Sequence, residues 1–208
     1  MTAKNYSSLR IYQILEIKNN KIKGSCLDVG SRLSDTNVSN YINSDNKIIY
    51  LNNYFKKEID IFFDLEKYPN KKFKKFKNVL LFNVLEHTKN YKNCLKNVYS
   101  FLSPKGKFFA STPFIYKIHG SPRDYFRFTK ELLEEDLKEI GFKKIKVTVL
   151  KGGLFICIYS LYFHLTRKIP LLNIFLLSIT LLLDRCIELY SNNYKKIYPI
   201  GYFFYAVK

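Results

Sequence analysis

Short apolar runs of strand length alternate along this chain with stretches whose apolar residues recur at helical spacing. That alternation constrains the fold more than any single residue does. Residues 24–29, 47–51, 59–63, 77–82, 107–112 and 143–149 read as strands, and 202–207 reads as a seventh. The run at 77–82 suits a central, buried strand. Between the strands, residues 6–17 carry Leu9, Tyr12, Ile14, Leu15 and Ile17 at helical spacing behind a Ser7 or Ser8 cap. A weak helix is expected over 36–42. Residues 91–102 place Cys94, Leu95, Val98, Tyr99 and Leu102 on one face. Pro104, Lys105 and Gly106 form a turn into the fifth strand, and a polar, aromatic loop covers 113–128. Thr129 then caps a helix that runs to Ile140 and stops at Gly141. Strands alternating with helices predict an α/β fold, a mostly parallel, doubly wound sheet with helices on both faces. No repeat or flexible linker divides the chain, so residues 1–208 read as one domain.

Composition narrows the partners. The four cysteines, Cys26, Cys94, Cys157 and Cys186, are far apart and form no paired motif. They read as reduced residues of a cytosolic protein, and no metal site is expected from their spacing. The first twenty residues are polar and mixed, with no apolar secretory core. The formal net charge is +18, with lysine clusters at Lys71, Lys72, Lys74, Lys75 and Lys77, at Lys143, Lys144 and Lys146, and at Lys195 and Lys196. Such a charge attracts nucleic acid, anionic lipid or phosphorylated substrates. The compositional explanation is preferred. Lys, Asn and Ile are abundant together, as in proteins from AT-rich genomes, and no nucleic-acid-binding motif accompanies the charge. Nucleic acid therefore ranks last among the expected partners.

Leu27-Asp28-Val29-Gly30-Ser31 is a strand running into a tight turn, where glycine lets a ligand approach the backbone at the carboxyl end of the strand. With a single glycine, and with Arg32 and Ser34 where others would stand, this turn alone is also compatible with an ordinary strand end. More residues follow downstream. Asn83-Val84-Leu85-Glu86-His87 closes the fourth strand, and Leu102 to Gly106 precedes the fifth. After the fifth strand comes the run from Pro113 through His119, Gly120, Ser121, Pro122, Asp124, Tyr125, Arg127 and Phe128 to Thr129. In this order and spacing the chain resembles class I S-adenosylmethionine-dependent methyltransferases. The likeness is to the small bacterial type associated with surface-glycan or natural-product biosynthesis, and it covers Gly24 to about Val149.

The resemblance implies a Rossmann-like, seven-stranded sheet of order 3-2-1-4-5-7-6 with an antiparallel last strand. It implies S-adenosylmethionine as cofactor, with Asp28, Gly30 and Ser31 around the methionine part, Asp64 and the backbone of Leu65 at the adenine, and the Asn83 backbone near the sulfonium. Relatives carry an acidic residue after the second strand for the ribose hydroxyls. Here Asn52 and Asn53 occupy that region, and asparagine gives up the charge-assisted bond of a carboxylate. With Arg32, this departure motivates a second reading, a non-catalytic or membrane-associated binding subunit that keeps the fold.

Methyl transfer from a sulfonium needs chiefly alignment of donor and acceptor, and a hydroxyl acceptor also needs its proton taken. The loop after the fifth strand is where such a group would sit. His119 is the candidate base, with Asp124 to orient it. His87, Tyr125 and Arg127 are candidates for acceptor binding. Internal pairing of Asp124, Arg127 and Thr129 is the competing reading of those residues, and local capping is the competing reading of His87. The acceptor is expected to be a small molecule or glycan, methylated on oxygen. The glycan assignment follows from the resemblance alone.

Two strongly apolar runs, 154–163 and 169–183, are separated by His164, Arg167, Lys168 and Pro170. They predict a helical hairpin inserted at 154–194, with proline in the first turn of its second helix. The second run, as a helix, spans roughly 22 Å, short of the about 30 Å core of a bilayer. Its polar residues Asn173, Thr180, Asp184 and Glu188 form a narrow stripe. Packing on the sheet or dimerisation ranks first for this insert, contact of 154–189 with a membrane surface second, and spanning last. The expected location is cytoplasmic, with peripheral attachment to the inner face of a membrane as an extension.

Overall fold

The computed structural model describes residues 6–31, 37–42, 48–53, 59–68, 73–120, 122–191 and 193–208. The expectations placed on Arg32, Ser34, Lys71, Lys72 and Ser121 lie outside these residues, as do Thr36 and Lys47 at the starts of two expected elements.

The sheet consists of β1 (Cys26–Val29), β2 (Ile48–Asn52), β3 (Ile61–Phe62), β4 (Phe76–Phe82), β5 (Leu102–Pro113), β6 (Lys143–Gly152) and β7 (Pro199–Val207). Its order is 3-2-1-4-5-7-6. The strands from β3 to β5 pair in parallel, and β7 inserts antiparallel between β5 and β6. This is the expected Rossmann-like architecture. β1 and β4 are nearly wholly buried because helices cover both faces of the sheet. One core holds Leu27, Val79, Leu81, Leu95, Val98 and Phe108. The other, across the sheet, holds Leu9, Ile17, Leu80, Phe109 and Phe203.

Helix α1 (Ser8–Lys18) is capped by the Ser7 hydroxyl, which accepts from the Arg10 amide. α2 (Tyr91–Phe101) buries Cys94, Leu95, Asn97, Val98 and Phe101. The expected stripe holds except at its end, where Phe101 rather than Tyr99 completes the buried face and Leu102 already belongs to β5. α3 (Lys130–Ile140) starts on the Thr129 cap and ends at Gly141, whose φ of +106° is the left-handed termination that glycine permits. The weak helix expected near residue 40 is a single 3-10 turn, Val38–Tyr41. The turn expected at Pro104-Lys105-Gly106 does not end the strand. β5 runs through it, and the register passes from Phe76–Leu102 to Asn78–Lys107, so Lys77 faces Ser103–Gly106 in a bulge.

The insert is a hairpin of α4 (Leu154–Thr166) and α5 (Pro170–Glu188), followed by the short α6 (Tyr194–Ile197). α4 packs on the sheet through Ile156, Cys157, Tyr159 and Phe163. α5 is built the other way round, since the residues it buries are Asn173, Thr180 and Asp184. The reason is local. α4 follows Gly153 and has no cap of its own, and the Asp184 carboxylate supplies one by accepting from the amides of Phe155 at 3.0 Å and Ile156 at 2.8 Å. Tyr194 donates to the same carboxylate at 2.7 Å. At the other end Thr166 donates to Asn173 Oδ1, and Asn173 Nδ2 donates to the Thr166 carbonyl. The polar stripe therefore locks the hairpin, and the apolar circumference points outward: Leu171 is 81% exposed, Phe175 60% and Leu182 62%. α5 is also longer than the apolar run alone suggests, about 28 Å from its nineteen residues.

Candidate active site

A cavity of about 620 Å³ opens at the carboxyl ends of β1, β2 and β4. In open α/β sheets ligands bind at this edge. Its wall brings together Gly30, Ser31, Asn52, Asn53, Asp64, Leu65, Asn83, His87, His119 and Tyr125. The positions assigned by resemblance to a cofactor and the loop residues assigned to an acceptor thus share one cleft, cofactor residues on the β1–β3 side and the histidines beyond β4.

Gly30 has a φ of +79°, and a Cβ there would stand 2.5 Å from Val84 Cγ2. Glycine is required by the backbone and by the packing of the β4 end against this turn. Asp28 lies beneath the wall rather than on it. Its Oδ1 accepts from the Ser31 hydroxyl at 2.7 Å, and burial pushes its carboxyl up to about 6. Asn52 also works on the turn. Its Nδ2 donates to the Ser31 carbonyl at 3.1 Å, and its Oδ1 accepts from the Asn53 amide at 2.7 Å. At the far end Asp64 Oδ1 accepts from the Glu66 amide at 3.0 Å, and Asn97 holds the Leu65 carbonyl at 2.8 Å.

Asn83 sits in the left-handed region at φ 55°, a conformation asparagine tolerates and most residues do not. Its amide donates to the Ser111 carbonyl at 3.0 Å. Gln13, fully buried in α1, donates through Nε2 to Asn83 Oδ1 at 2.6 Å and to the Ser111 hydroxyl at 2.8 Å.

The loop after β5 is fastened by Asp124. Its carboxylate takes both guanidinium nitrogens of Arg127, at 2.5 and 2.7 Å, and the His119 amide at 2.9 Å. Arg127 also donates to the carbonyls of Phe126 and Lys117. These hydrogen bonds, Arg127 foremost, hold the Asp124 carboxyl at about 2. Neither Asp124 nor Arg127 lines the cavity, so the internal-pairing reading describes both, and Thr129 is occupied as the α3 cap. Asp124 does face His119, whose Nδ1 lies 3.4 Å from Oδ2. Burial lowers the His119 pKa below its ordinary value, so the ring is neutral near pH 7.

Glu86 carries no role in the sequence reading, yet it lies beside both histidines at this end of the cleft. It is 0% exposed, and neither carboxylate oxygen has a hydrogen-bond partner among the described residues. Burial pushes its carboxyl up to about 8. His87 Nε2 and His119 Nε2 both lie 3.7 Å from its Oε1, and the two rings meet edge to face at 4.9 Å. Tyr125 joins through its backbone, donating to the Glu86 carbonyl at 2.7 Å. Arg10, on α1, lines the same cleft. Burial lowers its pKa, against the fields of Asp28, Tyr116 and Glu86. Glu86 was visible as part of the motif after β4, but nothing in the sequence said its carboxyl turns inward. Arg10 and Gln13 were hidden among the apolar residues of their helix.

No family model matches the chain, and neither does any curated protein at a significant level. Solved structures do. Phosphoethanolamine N-methyltransferase 2 of Haemonchus contortus, in complex with S-adenosyl-L-methionine, superposes with a TM-score of 0.59 at 16% identity, covering 94% of this chain and 52% of its own. The present chain thus spans about half the length of that enzyme. A SAM-dependent methyltransferase from Archaeoglobus fulgidus gives 0.59 at 14% identity, covering 96% and 91%. The 1,6-didemethyltoxoflavin-N1-methyltransferase of Burkholderia thailandensis, with 1,6-didemethyltoxoflavin and S-adenosylhomocysteine bound, gives 0.57 at 12% identity, covering 97% and 79%. At these identities the likeness shows the fold, that of the class I methyltransferases.

Proposed function

We propose that the chain is an S-adenosylmethionine-dependent methyltransferase acting on an oxygen of a small-molecule acceptor, a sugar or sugar-linked intermediate. The observation that carries this reading is the single cleft joining Gly30, Ser31, Asp64 and Asn83 to His87 and His119. Structural neighbours bind S-adenosylmethionine or S-adenosylhomocysteine in the same fold. The donor, when bound, supplies an already activated methyl group, so the protein's task is alignment and handling of the acceptor. The Gly30–Ser31 turn, braced by Asn52, receives the methionine part. Asp64 and the Leu65 backbone border the adenine. The Asn83 backbone, fixed by Gln13 and Ser111, marks the boundary between donor and acceptor.

On the acceptor side His119 presents a neutral ring; an Nδ1 proton turned toward Asp124, 3.4 Å away, would leave the Nε2 lone pair for the acceptor end of the cleft. This suits a hydroxyl, which must lose its proton, better than an amine that reacts through its own lone pair. Tyr125 and Arg123 form the outer rim. The test is transfer of labelled methyl from S-adenosylmethionine into sugar and glycan-precursor pools. The expected product is an O-methyl ether. Transfer to nitrogen alone, by a protein that binds the donor, would overturn the oxygen assignment.

We further propose that the protein works at the inner face of a membrane. The exposed apolar side of α5 supports this, as do exposed Arg167, Lys168, Arg185, Lys195 and Lys196 around the hairpin. By length and composition α5 is apolar enough to cross a membrane. Its buried polar stripe instead ties it to α4, and so favours lying on the surface.

A further inference from the structure

We propose that Glu86, His87 and His119 form a binding site for one divalent transition-metal ion of the zinc, manganese or ferrous class, at the acceptor end of the cleft. The ligand atoms, one from each residue, lie within 4.8 Å of one another. Both histidines present the nitrogen a metal needs. His87 Nδ1 donates to the Arg123 carbonyl at 2.6 Å, which leaves its Nε2 with a free lone pair. His119 Nδ1 lies 3.4 Å from the Asp124 carboxylate with no hydrogen bond closed between them, and an Nδ1 proton on that side would leave Nε2 free as well. A metal-bound histidine characteristically has its second ring nitrogen held by a carbonyl or a carboxylate; His87 has the Arg123 carbonyl, and His119 stands beside the Asp124 carboxylate without a closed hydrogen bond.

The two Nε2 lone pairs converge on Glu86 Oε1, each at 3.7 Å. That is too long for a hydrogen bond. Ligands about 2.1 Å from an ion and separated by roughly tetrahedral angles are about 3.4 Å apart, so the two contacts with Glu86 need to close by only a few tenths of an ångström, while the third pair, within 4.8 Å, must draw together further. The second, independent sign is Glu86 itself. A fully buried carboxyl with both oxygens unpartnered among the described residues costs free energy, which a bound cation would relieve. Arg10 and Arg127 are nearby charges but make no hydrogen bond to it. Two imidazoles and one carboxylate favour a transition ion over magnesium or calcium, which prefer all-oxygen shells.

His87 and His119 line the cavity, so the remaining coordination positions open toward it. An acceptor oxygen entering there becomes a further ligand. This last step rests on the proposed function, while the ion site stands on the three residues. With an ion present, His119 is a ligand. Without one, the same Nε2 is the proton acceptor.

The probe is Co²⁺, added to untagged, chelator-stripped protein and followed by visible d–d absorption and by elemental analysis after desalting. One equivalent of bound cobalt is expected. Glu86→Gln, His87→Ala and His119→Ala should each weaken binding by roughly 100-fold or more, and Asp124→Asn by roughly 10- to 100-fold through its hold on His119. Circular dichroism melts establish that each variant is folded. If Glu86→Gln fails to fold, His87→Ala and His119→Ala carry the comparison. No cobalt uptake by the wild type would overturn the site, and so would uptake unchanged in the folded variants. S-adenosylhomocysteine titrated into the stripped protein separates the two proposals. Cobalt binding without nucleoside binding would sink the methyltransferase reading and leave the metal site. The reverse would sink the metal site alone.

Discussion

Gln13 Nε2 donates to Asn83 Oδ1 at 2.6 Å, so a buried helix residue fixes the left-handed residue that closes the central strand of the cleft. Asn83→Ala removes the acceptor and places an intolerant residue at φ 55°. It should cost about 2 kcal/mol. Asn83→Gly loses the same hydrogen bond but relieves the backbone, and should cost about half as much. Urea unfolding of the three proteins measures the difference. Equal losses for Ala and Gly would show that the backbone conformation is not what selects asparagine.

Asp28 makes ligand-free stability depend on pH. Burial raises its folded pKa from 3.8 to about 6, so folding favours the neutral carboxyl. The stability this contributes is fully present below about pH 4 and is lost as the pH rises through about 6. Asp28→Asn should therefore match the wild type near pH 4 and exceed it by up to about 3 kcal/mol above pH 7. Parallel pH profiles for the two proteins would contradict this.

Asp124 acts with the opposite sign. Arg127 holds its pKa at about 2, so the stability from this pair is present above about pH 4 and disappears as the pH falls toward 2. Arg127→Met leaves a buried carboxylate without its main partner. It should cost about 2 kcal/mol at pH 7, discounted for the partial exposure of the guanidinium. The gap between the two proteins should narrow in acid. A gap that persists at pH 2 would mean that Arg127 stabilises the loop through packing rather than charge.

The fold was legible because periodicity reports which faces are buried. Strand–helix alternation and the Thr129 and Gly141 caps appear in the structure as expected, and the strand order implied by the resemblance does too. The bulge at Ser103–Gly106 was not legible, because Pro-Lys-Gly reads identically as a turn and as an irregular strand. The insert shows why composition can mislead. Its polar stripe was legible, but not that Asp184 in it is buried to cap α4 across the hairpin, a contact no local pattern encodes. In the site, His119, Asp124 and Asn52 could be named from position. That His119 and Asn52 line the cleft while Asp124 braces the loop behind it depends on side-chain directions set by residues distant in sequence. Glu86 was missed because an acidic residue after a strand ordinarily faces water.

The outward apolar face of α5 predicts flotation of the protein with anionic liposomes. Phe175→Asp and Leu182→Asp should each abolish most of it, since both side chains are about 60% exposed. Leu176 packs partly against the core and is a poorer probe. A wild-type protein that stays with the soluble fraction and runs as a dimer in light scattering would assign this face to a second copy of the chain instead.

The central claim is that the cleft over Gly30 receives an S-adenosyl cofactor. Calorimetric titration of S-adenosylhomocysteine into the wild type and into Asp64→Ala tests it most directly. The account predicts one site per chain in the wild type, and an affinity roughly tenfold weaker in Asp64→Ala, equivalent to about 1.4 kcal/mol. Absence of binding by the folded wild type would contradict it and would favour a non-catalytic subunit that retains the fold.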